Sequence, residues 1–175
     1  NFFASVAMIW GQDNPSLLQM AVPSLNIAPD ARGGGMGDMG AATLPDINSQ
    51  YWNAAKYAFM GSKAGVSLSY TPWLRKLVND VALVNMTGYY KLGNSDLQAI
   101  SASLRYFSLG EVNIWENIGD VPYGLNPYEM AFDVAYSRKL SESYSMAVTL
   151  RYIRSDMGTD QNDESNAGNA FSADI

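Results

Sequence analysis

The sequence predicts an all-β fold: the N-terminal part of a transmembrane antiparallel β-barrel, about five to six strands of a larger barrel, preceded by a Gly-rich hatch and a short helix. Three observations carry this. Long segments alternate apolar and polar residues with a period of two. Charged residues make up only 16% of the 175, where a soluble domain has about a quarter, and yet mean hydropathy stays close to zero. The connections between the alternating segments are short and long by turns, as in outer-membrane barrels.

The same composition excludes several function classes. Eleven Lys+Arg against 17 Asp+Glu give a net charge of −6, which removes the basic face that nucleic-acid binding needs. There is no Cys and no His, so disulfides, thiolate chemistry, His- or Cys-ligated metals and the Ser-His-Asp triad are all out. No run of about 18 apolar residues exists to form a membrane-spanning helix. A β-barrel needs none, because its apolar surface lies on alternate residues.

The chain divides into three parts. Residues 1–12 open with an apolar stretch, NFFASVAMIW, of the length of a signal peptide's h-region; it is either a signal-peptide remnant or an ordinary N-terminal segment. Residues 13–62 form the hatch or plug region, broken by Pro15, Pro23, Pro29 and Pro45. Its glycines Gly33, Gly34, Gly35, Gly37 and Gly40 include a G-x-G-x-x-G spacing, but no strand precedes it and no Gly-Lys-Ser/Thr follows. The dinucleotide reading therefore lacks its context, and the glycines are read as backbone at positive φ or in close approach. Asp46 or Asn48 caps a helix expected from about Ser49 to Phe59. Its Tyr51, Trp52, Ala54, Ala55, Tyr57 and Phe59 leave almost no polar face, so it belongs inside or against a barrel lumen.

Residues 63–175 are the up-down strands. The clearest run sets Tyr128, Met130, Phe132, Val134 and Tyr136 on one face against Glu129, Ala131, Asp133, Ala135 and Ser137. The next sets Tyr144, Met146, Val148, Leu150 and Tyr152 against Ser145, Ala147, Thr149 and Arg151. Similar runs cover Ala64 to Tyr70, Ala82 to Tyr90 and Ile100 to Tyr106, and a sixth begins near Asn169. Tyr128 and Tyr136, like Tyr144 and Tyr152, stand ~26 Å apart along the strand, or roughly 20 Å across a membrane at a tilt of about 40°. That is near the spacing of two aromatic girdles, so the apolar faces are expected to meet lipid. Ser101, Ser103, Asp133 and Thr149 are expected to face the lumen. Short turns lie at 92–95 and 139–143, and long connections at 72–79, 108–126 and 155–168. A turn centred on Leu140 would pair Tyr136 with Tyr144, Phe132 with Val148, Tyr128 with Tyr152 and Glu129 with Arg151. Five strands and part of a sixth cannot close a barrel, so the chain is expected to continue.

The run ARGGGMGDMGAATLPDINSQYWNAAKYAF, followed by GVSLSYTPWLRKLVNDVAL, resembles the PorV (LptO) family of the type IX secretion system, within the wider FadL-like group. Ala54 stands where members of that family usually carry Pro. The resemblance implies a barrel of about fourteen strands with an N-terminal hatch. It also implies a non-enzymatic role in the outer membrane of a Gram-negative bacterium. Such proteins receive secreted cargo through its C-terminal signal domain, associate with the translocon and pass the cargo to the surface sortase PorU. Outer-membrane lipid, including lipopolysaccharide, is a further expected partner.

Candidate functional residues follow from this. In the 108–126 connection, Val112, Ile114, Trp115, Ile118, Val121 and Tyr123 form an apolar and aromatic cluster suited to protein docking. The hatch candidates are Gly33, Gly34, Gly35, Gly37, Gly40, Trp52 and Asn53. No catalytic, cofactor or metal site is expected. Asp156, Asp160, Asp163 and Glu164 crowd one connection, but an EF-hand register from Asp163 fails at Ala167 and Asp174. The alternative function is a FadL-like channel for hydrophobic small molecules, which needs an apolar lumen pocket.

Overall fold

The computed structural model describes residues 22–73, 80–93, 97–114, 123–159 and 165–175. Its main element is a six-stranded antiparallel sheet in the order β1-β2-β3-β6-β7-β8. The strands are β1 (Ala64–Pro72), β2 (Val81–Leu92), β3 (Gln98–Leu109), β6 (Tyr128–Lys139), β7 (Ser145–Thr159) and β8 (Ser165–Asp174). Between β3 and β6, β4 (Val112–Ile114) and β5 (Tyr123–Leu125) pair as a separate two-stranded sheet. Neighbours in the main sheet are neighbours in sequence apart from that insertion, so the sheet is an up-down meander, the wall of a barrel. None of the described helices is long and apolar enough to cross a membrane.

The period-two pattern sets the two faces. Phe132, Val134 and Tyr136 on β6 are 41–45% exposed, and Leu150 on β7 is 62% exposed. The residues between them, Ala131, Asp133 and Ala135, are buried. Ser101, Ser103, Asp133 and Thr149 are all buried on the inner face, as the alternation requires. A water-soluble sheet protein buries its apolar face and exposes the polar one; here the assignment is reversed.

The register departs from the sequence expectation. Lys139 faces Ser145, and 140–144 form the loop, closed by Leu140 and Ser141 N–H groups that both donate to the Tyr144 carbonyl at 2.9 and 3.0 Å. The turn is therefore centred on Glu142, not Leu140. A tighter turn around Leu140 needs a residue that accepts positive φ, and Lys139, Leu140 and Ser141 offer none. Phe132 faces Tyr152 rather than Val148, Tyr136 faces Val148 rather than Tyr144, and Tyr128 faces Asp156 rather than Tyr152. The faces survive because the shift is even. The expected Tyr136–Tyr144 and Tyr128–Tyr152 pairs do not form. Tyr128 instead stacks on Tyr106 of β3, with ring centroids 5.6 Å apart.

Three other expectations are corrected. The 155–168 connection is mostly strand: β7 runs on to Thr159 and β8 starts at Ser165, with a register irregularity between Asp156 and Thr159. The 108–126 connection is not a plain loop, because it carries the β4–β5 hairpin. The helix expected over 49–59 is two pieces, α2 (Ser49–Trp52) and a 3-10 helix (Ala54–Phe59). Asn53 between them is extended, at φ −164° and ψ 99°, and its side-chain oxygen accepts from Ala55 N–H at 3.0 Å. An Asn that caps the following segment through its own side chain competes with helical continuation.

Candidate functional site

The inner wall carries a row of polar side chains, and residues 22–62 run along it. Inward positions are set by strand parity: Asn85, Thr87 and Lys91 on β2, Ser101, Ser103 and Arg105 on β3, Glu129, Asp133 and Ser137 on β6, and Thr149 on β7 are all buried. Buried polar groups are tolerated only with partners, and the N-terminal residues supply many of them.

At one end, the 3-10 turn Pro23–Asn26 is gripped through its main chain. Glu129 accepts a hydrogen bond from Ser24 N–H at 3.0 Å, and Arg105 donates to the carbonyls of Ser24 and Ile27 at 2.7 and 2.9 Å. The Arg105 guanidinium also lies over the Tyr51 ring, 4.5 Å from its centroid, and Tyr51 donates to the Leu25 carbonyl at 2.7 Å. Midway along the wall, Ser101 donates to Gln50 Oε1 at 2.6 Å. At the other end, Ser145 donates to the Ala55 carbonyl at 2.9 Å and Lys139 lies over the Phe59 ring. Glu129 and Lys139 are ten positions apart on β6, about 33 Å along the strand, so the N-terminal residues follow most of the wall's height.

The lower contact is apolar. Tyr57 is fully buried, stacks on Tyr89 with centroids 4.9 Å apart, and packs with Ala54, Ala99 and Ala135. Its hydroxyl donates to the Ile47 carbonyl at 2.8 Å and accepts from Gln50 N–H at 2.9 Å. Burial pushes the Tyr57 phenol well above its ordinary value. Burial also lowers the Lys56 ammonium, against the opposing pull of Asp46; Lys56 donates to the Gly40 carbonyl at 2.8 Å and to Thr43 Oγ1 at 3.1 Å.

The Gly-rich stretch has a structural role at two of its positions. Gly37 sits at φ +75°, where L side chains are strained, and the neighbouring Asp38 also has positive φ. At Gly40 a Cβ would lie among the Trp52 ring atoms, so only glycine lets the indole close over the chain there. Gly33 lies in α1 (Ala31–Gly35), capped by the Asp30 side chain, and also approaches Trp52 closely. Gly34 and Gly35 face open space. Trp52 meets Tyr51 edge to face at 4.5 Å. Trp52 and Asn53 also line a cleft of about 470 Å³ between the N-terminal residues and β7–β8, with Gln50, Thr149 and Arg151 on its walls.

Among the docking candidates, Val112 and Ile114 lie on β4 and Tyr123 on β5, with Ile114 facing Tyr123 across the ladder. Trp115, Ile118 and Val121 lie outside the described residues. So do residues 1–12 and Asp160, Asp163 and Glu164. Among the described residues no group of His, Cys, Asp or Glu could hold a metal ion.

The residues that matter most on the inner wall are charged ones within apolar-alternating strands: Arg105, Glu129, Asp133 and Arg151. Asp133 accepts from Arg151 Nε at 2.6 Å and from Ser103 Oγ at 2.9 Å. Their inward parity was readable in the sequence, but their partners were not.

An up-down antiparallel meander with an apolar outward face and a polar inner wall defines the wall of a membrane β-barrel. The profile of the family described as "Type IX secretion system protein PorV" matches residues 11–175, and the chain belongs to that family. It is a component of the type IX secretion system, and the family is one of outer-membrane secretion components. Its partners are therefore proteins of the secretion machinery. No curated protein matches the chain.

Proposed function

We propose that this protein receives secreted cargo by its C-terminal signal domain in the outer membrane and passes it from the translocon to the sortase PorU and the attachment complex. Residues 13–62 act as the hatch of the barrel, and the short turns at 93–97 and 140–144 face the periplasm. The observation that carries this reading is the family match, supported by the way residues 22–62 occupy the inner wall. With the wall occupied and the outer face turned to lipid, protein partners are left with the loop end, where the β4–β5 hairpin and the cluster Val112, Ile114, Trp115, Ile118, Val121 and Tyr123 lie in sequence. A channel for hydrophobic small molecules fits less well, because most of the described inner wall is polar or charged and its apolar positions at Tyr89, Ala99 and Ala135 are packed against Tyr57. The markedly apolar hollow, about 490 Å³ around Gly88 and flanked by Val66, Met86, Ile100, Leu104 and Phe132, opens on the outward face.

The test is a doubly substituted chain, Trp115→Ser with Ile118→Ser, in the native host. Loss of co-purifying secretion partners and accumulation of unprocessed cargo, with the barrel still in the outer membrane, is the expected result. Normal secretion and complex formation would remove the docking role from this connection.

A further inference from the structure

The N-terminal residues leave one gap against the described wall, the cleft of about 470 Å³ along the inner face of β7. Small side chains open it: Ala54 and Ala55, just after the break at Asn53, face Ser145 and Ala147 across it. Ser145 marks its short-turn end and Arg151 its inner end. These two are six positions apart on β7, about 20 Å along the strand. A volume of that size drawn out over such a length is slender, which suits a linear ligand better than a compact one. The lining residues of β7 repeat every second position, ~6.6 Å apart, and that is also the repeat of same-side carbonyls in an extended peptide.

The backbone of β7 is paired with β6 and β8, so recognition in the cleft falls to side chains. Arg151 gives its Nε to Asp133, while its Nη1 stands 3.9 Å from Asp174, too far for a hydrogen bond. The Arg151 side chain is 20% exposed, and its Nη groups make no hydrogen bond among the described residues. The Thr149 hydroxyl also has no partner among the described residues, and Asn53 is exposed beside it. Two carboxylates flank the one guanidinium, so the cleft has no net positive charge to attract an anion. Its spare donors suit neutral acceptors, and the Asp174 carboxylate suits an N–H donor; a peptide backbone offers both. A sugar would want an open aromatic face, but the Trp52 indole is closed over Gly40 and Gly33.

We infer that the cleft between Asn53 and the inner face of β7 binds an uncharged, extended peptide segment of a periplasmic protein partner, with Thr149 and Arg151 donating to its carbonyls. This contact is separate from the docking at the β4–β5 hairpin and lies toward the opposite end of the wall. The class of ligand follows from the cleft itself. The periplasmic source rests on the orientation proposed above, in which the 140–144 turn beside Ser145 faces the periplasm.

The experiment is photo-crosslinking of the full chain in its native host, with the exposed cleft residue Ala41 replaced by p-benzoylphenylalanine. Illumination should join the chain to a second protein, and peptide mapping should place the bond in an uncharged stretch of that protein. Thr149→Val should lower the yield about fivefold, the effect of one lost hydrogen bond to a neutral carbonyl. Thr149→Ser should keep most of it, and Leu150→Ala, on the outward face, should leave it unchanged. Heat-modifiable gel mobility checks that each variant is a folded barrel. Crosslinks confined to the chain itself or to lipid, a bond in a charged stretch, an unchanged yield in Thr149→Val or an equal loss in Leu150→Ala would overturn the site. Orientation is read separately from Glu142→Cys and a membrane-impermeant maleimide: labelling only after the outer membrane is permeabilised is expected, and labelling of intact cells would overturn the periplasmic source whatever the crosslinks show.

Discussion

Removing Arg151 should unsettle the inner wall through Asp133. The Asp133 carboxylate is nearly buried, with one oxygen 2.6 Å from Arg151 Nε and the other accepting from Ser103 Oγ at 2.9 Å. Arg151→Met leaves Ser103 as the remaining donor in the described contacts, and one carboxylate oxygen loses its charge-assisted bond. Breaking a fully buried pair costs about 3–5 kcal/mol. The Arg151 side chain is 20% exposed, so water screens part of this and about 2–3 kcal/mol is the reasonable figure. A double-mutant cycle with Asp133→Asn isolates the pair, and its coupling energy should be about 1.5–3 kcal/mol. The same cycle between Glu129 and Arg151 should give less than about 0.5 kcal/mol, because Glu129 faces Ser155 and spends its carboxylate on Ser24. The assay is reversible urea unfolding in lipid vesicles, followed by tryptophan fluorescence. Strong Glu129–Arg151 coupling with weak Asp133–Arg151 coupling would refute the reasoning and favour a turn centred on Leu140.

Other outcomes follow from the N-terminal residues. Gly40→Ala should destabilise their packing by about 1–3 kcal/mol, because its methyl group would overlap the Trp52 indole, while Gly34→Ala should be nearly neutral; hydrogen exchange over 33–62 reads the difference. Tyr57 has a folded pKa raised above its unfolded value near 10, so its contribution is complete below pH 10 and is lost as pH rises beyond that. Protease protection of 45–60 should therefore fall above pH 10, and Tyr57→Phe should abolish that dependence while costing about 1–3 kcal/mol at neutral pH for the Gln50 N–H and Ile47 carbonyl left unpaired. Glu129→Gln should loosen the Ser24 turn, seen as faster exchange of the Ser24 amide, with the sheet itself unchanged.

Parity was the most legible feature. Side chains two apart on a strand share a face whatever the register, so Phe132, Val134 and Leu150 could be set outward and Ser103, Asp133 and Thr149 inward from the sequence alone. Register was less legible because it depends on the hairpin loop. Two alternative turns, centred two residues apart, shift the register by four positions, keep the faces and both pair apolar residues, and neither Leu140 nor Glu142 is a diagnostic turn residue. The break at Asn53 was hidden for a similar reason: the apolar residues of 49–59 suit either one helix or two short pieces against a wall, and the deciding contact is the Asn53 cap on Ala55. The inner-wall contacts of Arg105 and Glu129 join residues 78 to 105 positions apart, and no local pattern encodes such pairs. The length of β7 is not legible locally, because Ser155, Asp156 and Gly158 look like a connection, while the strand continues past the interface, where polar residues carry no penalty.

The sheet turns an apolar face outward, toward lipid, and a polar face inward. A spin-label scan of β6 tests this, and it is clean because the chain contains no cysteine. Single cysteines at positions 130 to 137 are labelled in the intact protein in lipid vesicles, and collision with oxygen and with a water-soluble nickel chelate is measured at each. A period of two is expected, with oxygen contact high at 132, 134 and 136 and low at 131, 133, 135 and 137. A pattern of the opposite phase, or no alternation at all, would contradict it.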